Sequence, residues 1–401
     1  MKLGIIIPDG AADLPIKALG GKTPLEAAIT PDLDRLAAMG RQGTVNTTPP
    51  GFGTGSDVCS MSLLGYDPAV FHTGRAPIEA AATGLVASAT DVVCRVNLVT
   101  IEDGVMQDHS TGGIDTASGR ALFEAVEKAW RNAGLFGGFA IQPGVEYRCS
   151  LVDRTETSYE SVRTTPPHEI LDEDCQPYRP SGGRPADQLA GLMDAARPVL
   201  ASHPINRARV AEGKRPATDV WIWGQGVFPS LPSFVSRFGL RGAMTTAVDL
   251  LAGIASLIGW DRIDVPGLTG WHDNDYAAQG AASVRAIDDY DIVCCHVESP
   301  DEASHQANPT IKTAAIEAVD RHCVGPMLDR LSKESEWRLL VLPDHYTLCS
   351  TRKHDPTPPP FLIAGTGIDP DEGERFTETN AEAGGPHLQL GHDLIPSVLL
   401  G

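Results

Sequence analysis

Asp291-Ile-Val-Cys-Cys-His-Val-Glu-Ser-Pro-Asp-Glu-Ala-Ser-His305 sets a largely apolar run directly against a turn of acids that ends in a histidine. A run without apolar/polar alternation reads as a strand buried on both faces, the habit of parallel sheets. Its polar residues then fall at the carboxyl end, where sites in open α/β sheets lie. The same logic recurs along the chain. Leu3–Ile7 stops at Pro8-Asp9-Gly10, Arg338–Leu342 runs into Pro343-Asp344-His345, and Pro360–Ala364 is a further short apolar run. Helical patterns at 245–258, 276–287 and 310–331 separate these strands. Pro24–Met39 also reads as helical, with Thr23 as its cap and Pro31 as an interruption. Strands alternating with helices predict an α/β fold: a mostly parallel sheet with helices on both faces.

At 401 residues the chain exceeds the usual size of a single core, so two domains are expected. The middle, residues 72–239, differs from its flanks. It holds strand-like runs at 90–100, 145–152 and 220–223, a helix at 118–133 and an irregular Pro-rich stretch at 164–185. It reads as an inserted smaller α+β domain, with 1–71 and 240–401 forming one discontinuous outer domain and linkers near 68–77 and 228–241. Hydrophobic residues at 42% and charged residues at 21% describe an ordinary globular protein. A net charge of −20 argues against nucleic acid or an anionic membrane as partner, since both need basic patches. The eight cysteines show no C-x-x-C spacing and read as free thiols of a reducing cytoplasm. No stretch approaches the roughly 18 apolar residues of a membrane span.

The polar turns carry the chemistry. Asp301-xxx-His305 places two ligands one helical turn apart, and Asp344-His345 sit together at a strand end. Carboxylate, imidazole and hydroxyl oxygen suit Mn²⁺, Zn²⁺ or Mg²⁺. Thr54-Gly-Ser-Asp-Val58 is a small-residue turn that presents Ser56 ahead of an apolar run. Serine is a weak nucleophile at neutral pH, and a metal at its Oγ would lower the pKa. With Asp9, these pieces suggest a metal-activated serine that takes and passes on a phosphoryl group. Anion-binding arginines must offset the acidic whole, because the guanidinium fork fits carboxylate or phosphate. Arg75, Arg209 and Arg241 lead that group; Arg148 and Arg207 are looser candidates, and His109 could contact phosphate. His72, His272, His296 and His392 could orient ligands from behind.

Several of these segments together resemble the cofactor-independent phosphoglycerate mutases, specifically the shorter archaeal-type branch within the alkaline phosphatase superfamily. They are Ile5–Asp13, Gly55-Ser-Asp-Val58, Leu64–Pro68, Thr73–Ala80, Asn206-xx-Arg209, Val248–Gly253, Val265–Gly270, His296–His305, Ile316–Asp320 and Pro343–Thr347. The resemblance implies an alkaline-phosphatase-like outer domain and an insert that grips substrate and closes over the site. It implies two divalent ions, with Mn²⁺ favoured and Zn²⁺, Co²⁺ or Mg²⁺ as alternatives. One would be held by Asp9, Ser56, Asp344 and His345, the other by Asp301, His305 and His354. Ser56 would accept the phosphoryl group of a small phosphorylated hydroxy acid, interconverting 3- and 2-phosphoglycerate in glycolysis or gluconeogenesis. Departures exist: Gln306-Ala307 follow His305 where the family has an acidic turn, and Gln279 lies near a family lysine. They leave two alternatives with the same metal-serine machinery, a homoserine kinase-like phosphotransferase and a phosphomonoesterase.

Overall fold

The computed structural model describes every residue except Val86, Glu372 and Gly401, the last of which ends the expected outer domain. Its contacts divide the chain into two compact units, Met1–His72 with Leu231–Gly401, and Thr73–Ser230.

The first unit is built on an eight-stranded sheet. Across it the order is His387–Leu388, Gly40–Val45, Pro360–Gly365, Trp337–Val341, Lys2–Pro8, Ile292–Val297, Gly242–Thr245 and Asp261–Arg262. Lys2–Pro8 runs parallel to both of its neighbours, with Ile7 beside His296 and Ile6 beside Val341. Gly242–Thr245 continues the parallel set. The fold is thus the expected mostly parallel α/β arrangement, with one departure: Pro360–Gly365 is antiparallel to both flanking strands. An apolar run of that length has the same composition in either direction, so its sense was not readable.

Burial explains the absence of alternation. Ile5, Ile6 and Ile7 are all fully buried, so both faces of the central strand are covered. On one face Ile6, Val293, Cys295, Leu339, Val341 and Leu362 share a core with Leu33, Leu36, Ile316, Val319, Leu328 and Leu331 from the helices. Thr23 and Glu26 form a reciprocal capping box at helix Pro24–Ala27, and a separate helix, Pro31–Ala37, follows. The single helix expected at 310–331 is Pro309–Val319, a π-helical turn at Asp320–Val324 and Gly325–Leu331. Leu231–Gly239 belongs to this unit rather than to the insert. Phe234 is buried there, 4.9 Å from the Trp260 ring and 4.6 Å from Phe238.

The second unit is an antiparallel sheet centred on Val92–Glu102. That strand pairs with Arg148–Asp153 on one side and Asp219–Val227 on the other, with Val105–Asp108 and Phe139–Pro143 completing the sheet. Helices Thr116–Asn132 and Arg184–Ser202 cover it through Leu122, Phe123, Val126, Trp130, Leu189, Leu192 and Met193. The Pro-rich stretch is irregular, and Trp221 Nε1 donates to Thr165 O at 2.8 Å to anchor it. All eight cysteines are free and buried. Among the described residues no helix is long and apolar enough to cross a membrane.

Candidate active site

Parallel strands place their carboxyl ends on one side of the sheet, and the acids expected there converge in the first unit. Asp9 follows Lys2–Pro8 and is fully buried. The next residue, Gly10, has φ +57°, and a Cβ on it would lie 2.5 Å from Asp301 Oδ1 and Thr347 Oγ1, so only glycine fits. Its N–H donates to Asp344 Oδ1 at 3.3 Å. Asp344 also accepts from Ser60 Oγ at 3.3 Å, and its carbonyl accepts from Thr47 Oγ1 at 2.7 Å.

Ser56 is the first residue of helix Ser56–Leu63. Its Oγ lies 3.3 Å from His345 Nε2, which in turn lies 3.4 Å from Asp344 Oδ2 and 3.5 Å from Asp9 Oδ1. Burial pushes the His345 pKa down, which favours the neutral imidazole that a metal ligand requires. Burial together with the charges of Asp344 and Glu298 raises the Asp9 carboxyl well above the usual range. Carboxyls crowded in this way call for a cation.

The second set is equally close. Asp301 Oδ2 is 3.0 Å from His305 Nε2, and Asp301 Oδ1 is 3.6 Å from His354 Nε2. The two histidines face each other, Nε2 to Nε2, over 3.2 Å. Each Nδ1 contacts a backbone carbonyl: His305 at Arg352 O, 2.9 Å, and His354 at Thr54 O, 3.0 Å. A carbonyl can only accept, so both Nδ1 atoms carry the proton and both Nε2 atoms present lone pairs. Two imidazole lone pairs and a carboxylate oxygen aimed at one point fit a divalent metal ion. Without the ion a proton takes that place: burial opposes it, but Asp301 holds His305 up at about 9.

All seven residues of the two expected ligand sets therefore lie in one cluster. Four further residues surround it: His296, expected as an orienting partner, and Glu298, Thr347 and Lys312, which were not singled out as chemistry. Glu298 sits in the turn beside Asp301, and His296 Nε2 is 2.8 Å from Asp9 Oδ2. Thr347 Oγ1 donates to Asp301 Oδ1 at 2.5 Å and contacts His345 Nδ1 at 3.1 Å. Lys312, fully buried, donates to Ala12 O, Asp13 Oδ2 and Thr347 O at 3.1, 3.1 and 2.8 Å. Its signal was a lysine on the face that Ala315 and Ile316 bury.

Among the other histidines, His72 Nε2 is 2.8 Å from Asp57, the residue after Ser56. His272 is exposed, and His392 lies 3.9 Å from Asp67. Gln279 is buried; it donates to His296 O and accepts from Asn274. It is a strut behind His296.

The anion-binding candidates divide. Arg241 stands at the amino end of strand Gly242–Thr245, bonded to Asp289 and Asp291, so it faces away from the carboxyl-end cluster. Arg209 is buried and its guanidinium is spent on the carbonyls of Arg215 and Thr111, bracing the turn around His109 rather than facing solvent. Arg75, Arg148 and His109 occupy the second unit with Arg95. Arg75 and Arg95 both pair with Glu79 and lie 5.9 and 5.2 Å over the Trp223 ring. His109 is 6.1 Å from the rings of Tyr147 and His168, and Arg148 is 4.4 Å over Tyr147. Burial lowers the His109 pKa. Arg95 was missed because it sits mid-strand, where a side chain's face is hard to assign. Arg207 borders a separate cavity of about 450 Å³ lined by Arg197, Leu200, Asn206 and Val210.

Comparison with known proteins adds the family. The profile described as 2,3-bisphosphoglycerate-independent phosphoglycerate mutase matches residues 37–206. A protein of that name from Methanothrix thermoacetophila is 42% identical over the whole of both chains. One described as a probable member from Geobacter sulfurreducens is 39% identical, again over the whole of both. A solved structure of a Pyrococcus horikoshii protein, 30% identical, superposes with a TM-score of 0.80 over 99% of this chain and 96% of that one. The cofactor-independent phosphoglycerate mutase from Thermoplasma acidophilum, 26% identical, gives 0.65 over 100% and 99%.

Proposed function

The chain belongs to the 2,3-bisphosphoglycerate-independent phosphoglycerate mutase family, and on that premise we propose that it interconverts 3- and 2-phosphoglycerate through a phosphoserine at Ser56. The observation that carries the reading is the convergence of Ser56, Asp9, Asp344 and His345 beside Asp301, His305 and His354. These residues would hold two divalent ions, Mn²⁺ being the best match to mixed imidazole and carboxylate donors. Such ions, when bound, lower the pKa of a serine hydroxyl and neutralise charge on a transferring phosphoryl group.

The residues of this chain supply the rest. Ser56 loses its proton and Oγ attacks phosphorus; the bond to glycerate O3 breaks and that oxygen takes up a proton. The O2 hydroxyl then loses its proton and attacks the phosphoserine, the bond to Oγ breaks, and Ser56 regains a proton. Protons balance over the cycle. Ser56 opens a helix, whose amino terminus would favour negative charge on a phosphoryl group at its Oγ. Thr347 and Lys312 keep the ligands in place. Within the second unit, Arg75, Arg95, Arg148 and His109 have the chemistry that carboxylate and phosphate groups require.

The relatives, matched over their whole length, favour a mutase over the kinase-like and phosphatase alternatives. The test is 3-phosphoglycerate with enolase and Mn²⁺, without 2,3-bisphosphoglycerate, followed at the absorbance of phosphoenolpyruvate. Absorbance should rise; no rise with Mn²⁺, Zn²⁺, Co²⁺ or Mg²⁺ would overturn the reading. Free phosphate at the rate of substrate loss would make it a phosphatase.

A further inference from the structure

Ser56 stands on a helical turn that its own capping residue does little to fix. Gly55, the N-cap of helix Ser56–Leu63, has no side chain to accept from the turn, and glycine leaves the backbone permissive. The side chain that follows Ser56 makes up the difference. Asp57 Oδ1 folds back over Gly55, so closely that a Cβ there would lie 2.7 Å from it. Its other oxygen, Oδ2, accepts from His72 Nε2 at 2.8 Å. Neither residue belongs to either ligand set. We propose that His72, acting through Asp57, is a positioning residue that fixes the first turn of this helix so that Ser56 Oγ meets phosphorus in line.

His72 is itself held from two sides. It is the C-cap of helix Pro68–Phe71, its N–H donating to Pro68 O at 3.0 Å, and Asp67 caps the other end through Ala69 N at 2.9 Å. Its ring meets the ring of Phe52 edge-on, with centroids 5.9 Å apart. Phe52 lies in the loop that leads into Ser56, two residues before Thr54, whose carbonyl accepts from His354 Nδ1 at 3.0 Å. One imidazole therefore touches both the loop before the nucleophile and the residue after it. The side chains of His72 and Asp57 are only 15% and 13% exposed, so little water competes for their bond.

In-line attack tolerates little error: a misplacement of about 1 Å can cost roughly a hundredfold in rate. Loss of the bond should therefore appear in kcat. KM should hold, because neither side chain is among the groups suited to the substrate's carboxylate. The proposal rests on Ser56 as the phosphoryl acceptor, but not on which hydroxyl receives the group afterwards.

The test is a double-mutant cycle on the full-length, Mn²⁺-loaded protein. Phosphoserine formation at Ser56 is followed by quenched-flow mass spectrometry, with 3-phosphoglycerate and with p-nitrophenyl phosphate as donors. His72→Phe keeps a ring against Phe52 and removes the bond; Asp57→Ala removes it from the other side. Each should slow labelling about ten- to a hundredfold, with KM, bound Mn²⁺ and melting temperature unchanged. The double variant should be no slower than the slower single one, since the pair acts as a unit. Asp57→Asn, which keeps an acceptor for Nε2, should recover most of the rate. Labelling in His72→Phe within about twofold of wild type, additive losses in the double variant, or a matching loss of Mn²⁺ or melting temperature would overturn the proposal. Should His72→Phe fail to fold, Asp57→Ala against Asp57→Asn decides by the same readings. Labelling from p-nitrophenyl phosphate alone would sink the mutase reading and leave this one measurable; no labelling of Ser56 from either donor would overturn both.

Discussion

The hydroxyl hydrogen of Thr347 is directed at Asp301 Oδ1 over 2.5 Å, which leaves its oxygen lone pairs to accept from His345 Nδ1–H at 3.1 Å. One side chain thereby fixes the tautomer of a ligand in the first set and the rotamer of a ligand in the second. Thr347→Val keeps the shape and removes both bonds. It should weaken Mn²⁺ binding by roughly ten- to a hundredfold in a titration, while Thr347→Ser restores it. Equal affinity in the valine variant would show that the threonine only packs. Lys312 acts one step further out, on the backbone of Thr347 and Ala12 and on Asp13. Lys312→Met strands a buried Asp13 carboxylate and should cost about 3–5 kcal/mol in urea unfolding. Ser56→Ala, in contrast, should leave stability within about 0.5 kcal/mol, as for most substitutions outside a core. It should still lower turnover by at least about a thousandfold and abolish the trapped phosphoenzyme.

Among the elements, helix Glu378–Gly384 carries a pH dependence in its first turn. Glu378 accepts from Asp13 N at 3.1 Å and Thr23 Oγ1 at 2.7 Å, and those bonds favour its ionised form. Burial outweighs them and raises its pKa from 4.5 to about 7. An acid whose folded pKa is raised binds a proton in the native state after the unfolded chain has lost it. Its contribution to stability is thus complete below about pH 4.5 and is lost as pH rises through 7. The full loss corresponds to about 3 kcal/mol. Glu378→Gln can accept from Asp13 N and donate to Thr23 Oγ1, so it should match wild type at pH 4.5 and exceed it at pH 8. Parallel stability curves for the two proteins across that range would contradict the assignment.

At the scale of the whole molecule, the first unit gathers the buried Asp9, Asp301 and Asp344 and the mostly buried Glu298 at one end of its sheet, a concentration of acid that bound cations would offset. Chelation should lower the melting temperature by several degrees, and Mn²⁺ should restore it in a concentration-dependent way. Much of this end was legible from the sequence, because strands buried on both faces leave apolar runs that halt abruptly at ligands. Asp9, Asp301 and Asp344 stand at such halts. The direction of Pro360–Gly365, the reach of the insert to Ser230 and the roles of Arg209 and Arg241 were not legible. Those depend on pairing partners, hydrophobic packing of Phe234 and hydrogen bonds to carbonyls distant in sequence, none of which leaves a local pattern. The central claim is that Ser56 carries the phosphoryl group between two hydroxyls of the same glycerate. A crossover experiment addresses it: 3-phosphoglycerate labelled with ¹⁸O in the phosphoryl group and ¹³C in the glycerate is mixed with unlabelled substrate, and the products are weighed by mass spectrometry. The account predicts 2-phosphoglycerate in which both labels stay together, formed without 2,3-bisphosphoglycerate. Products carrying one label without the other, or no 2-phosphoglycerate at all, would contradict it.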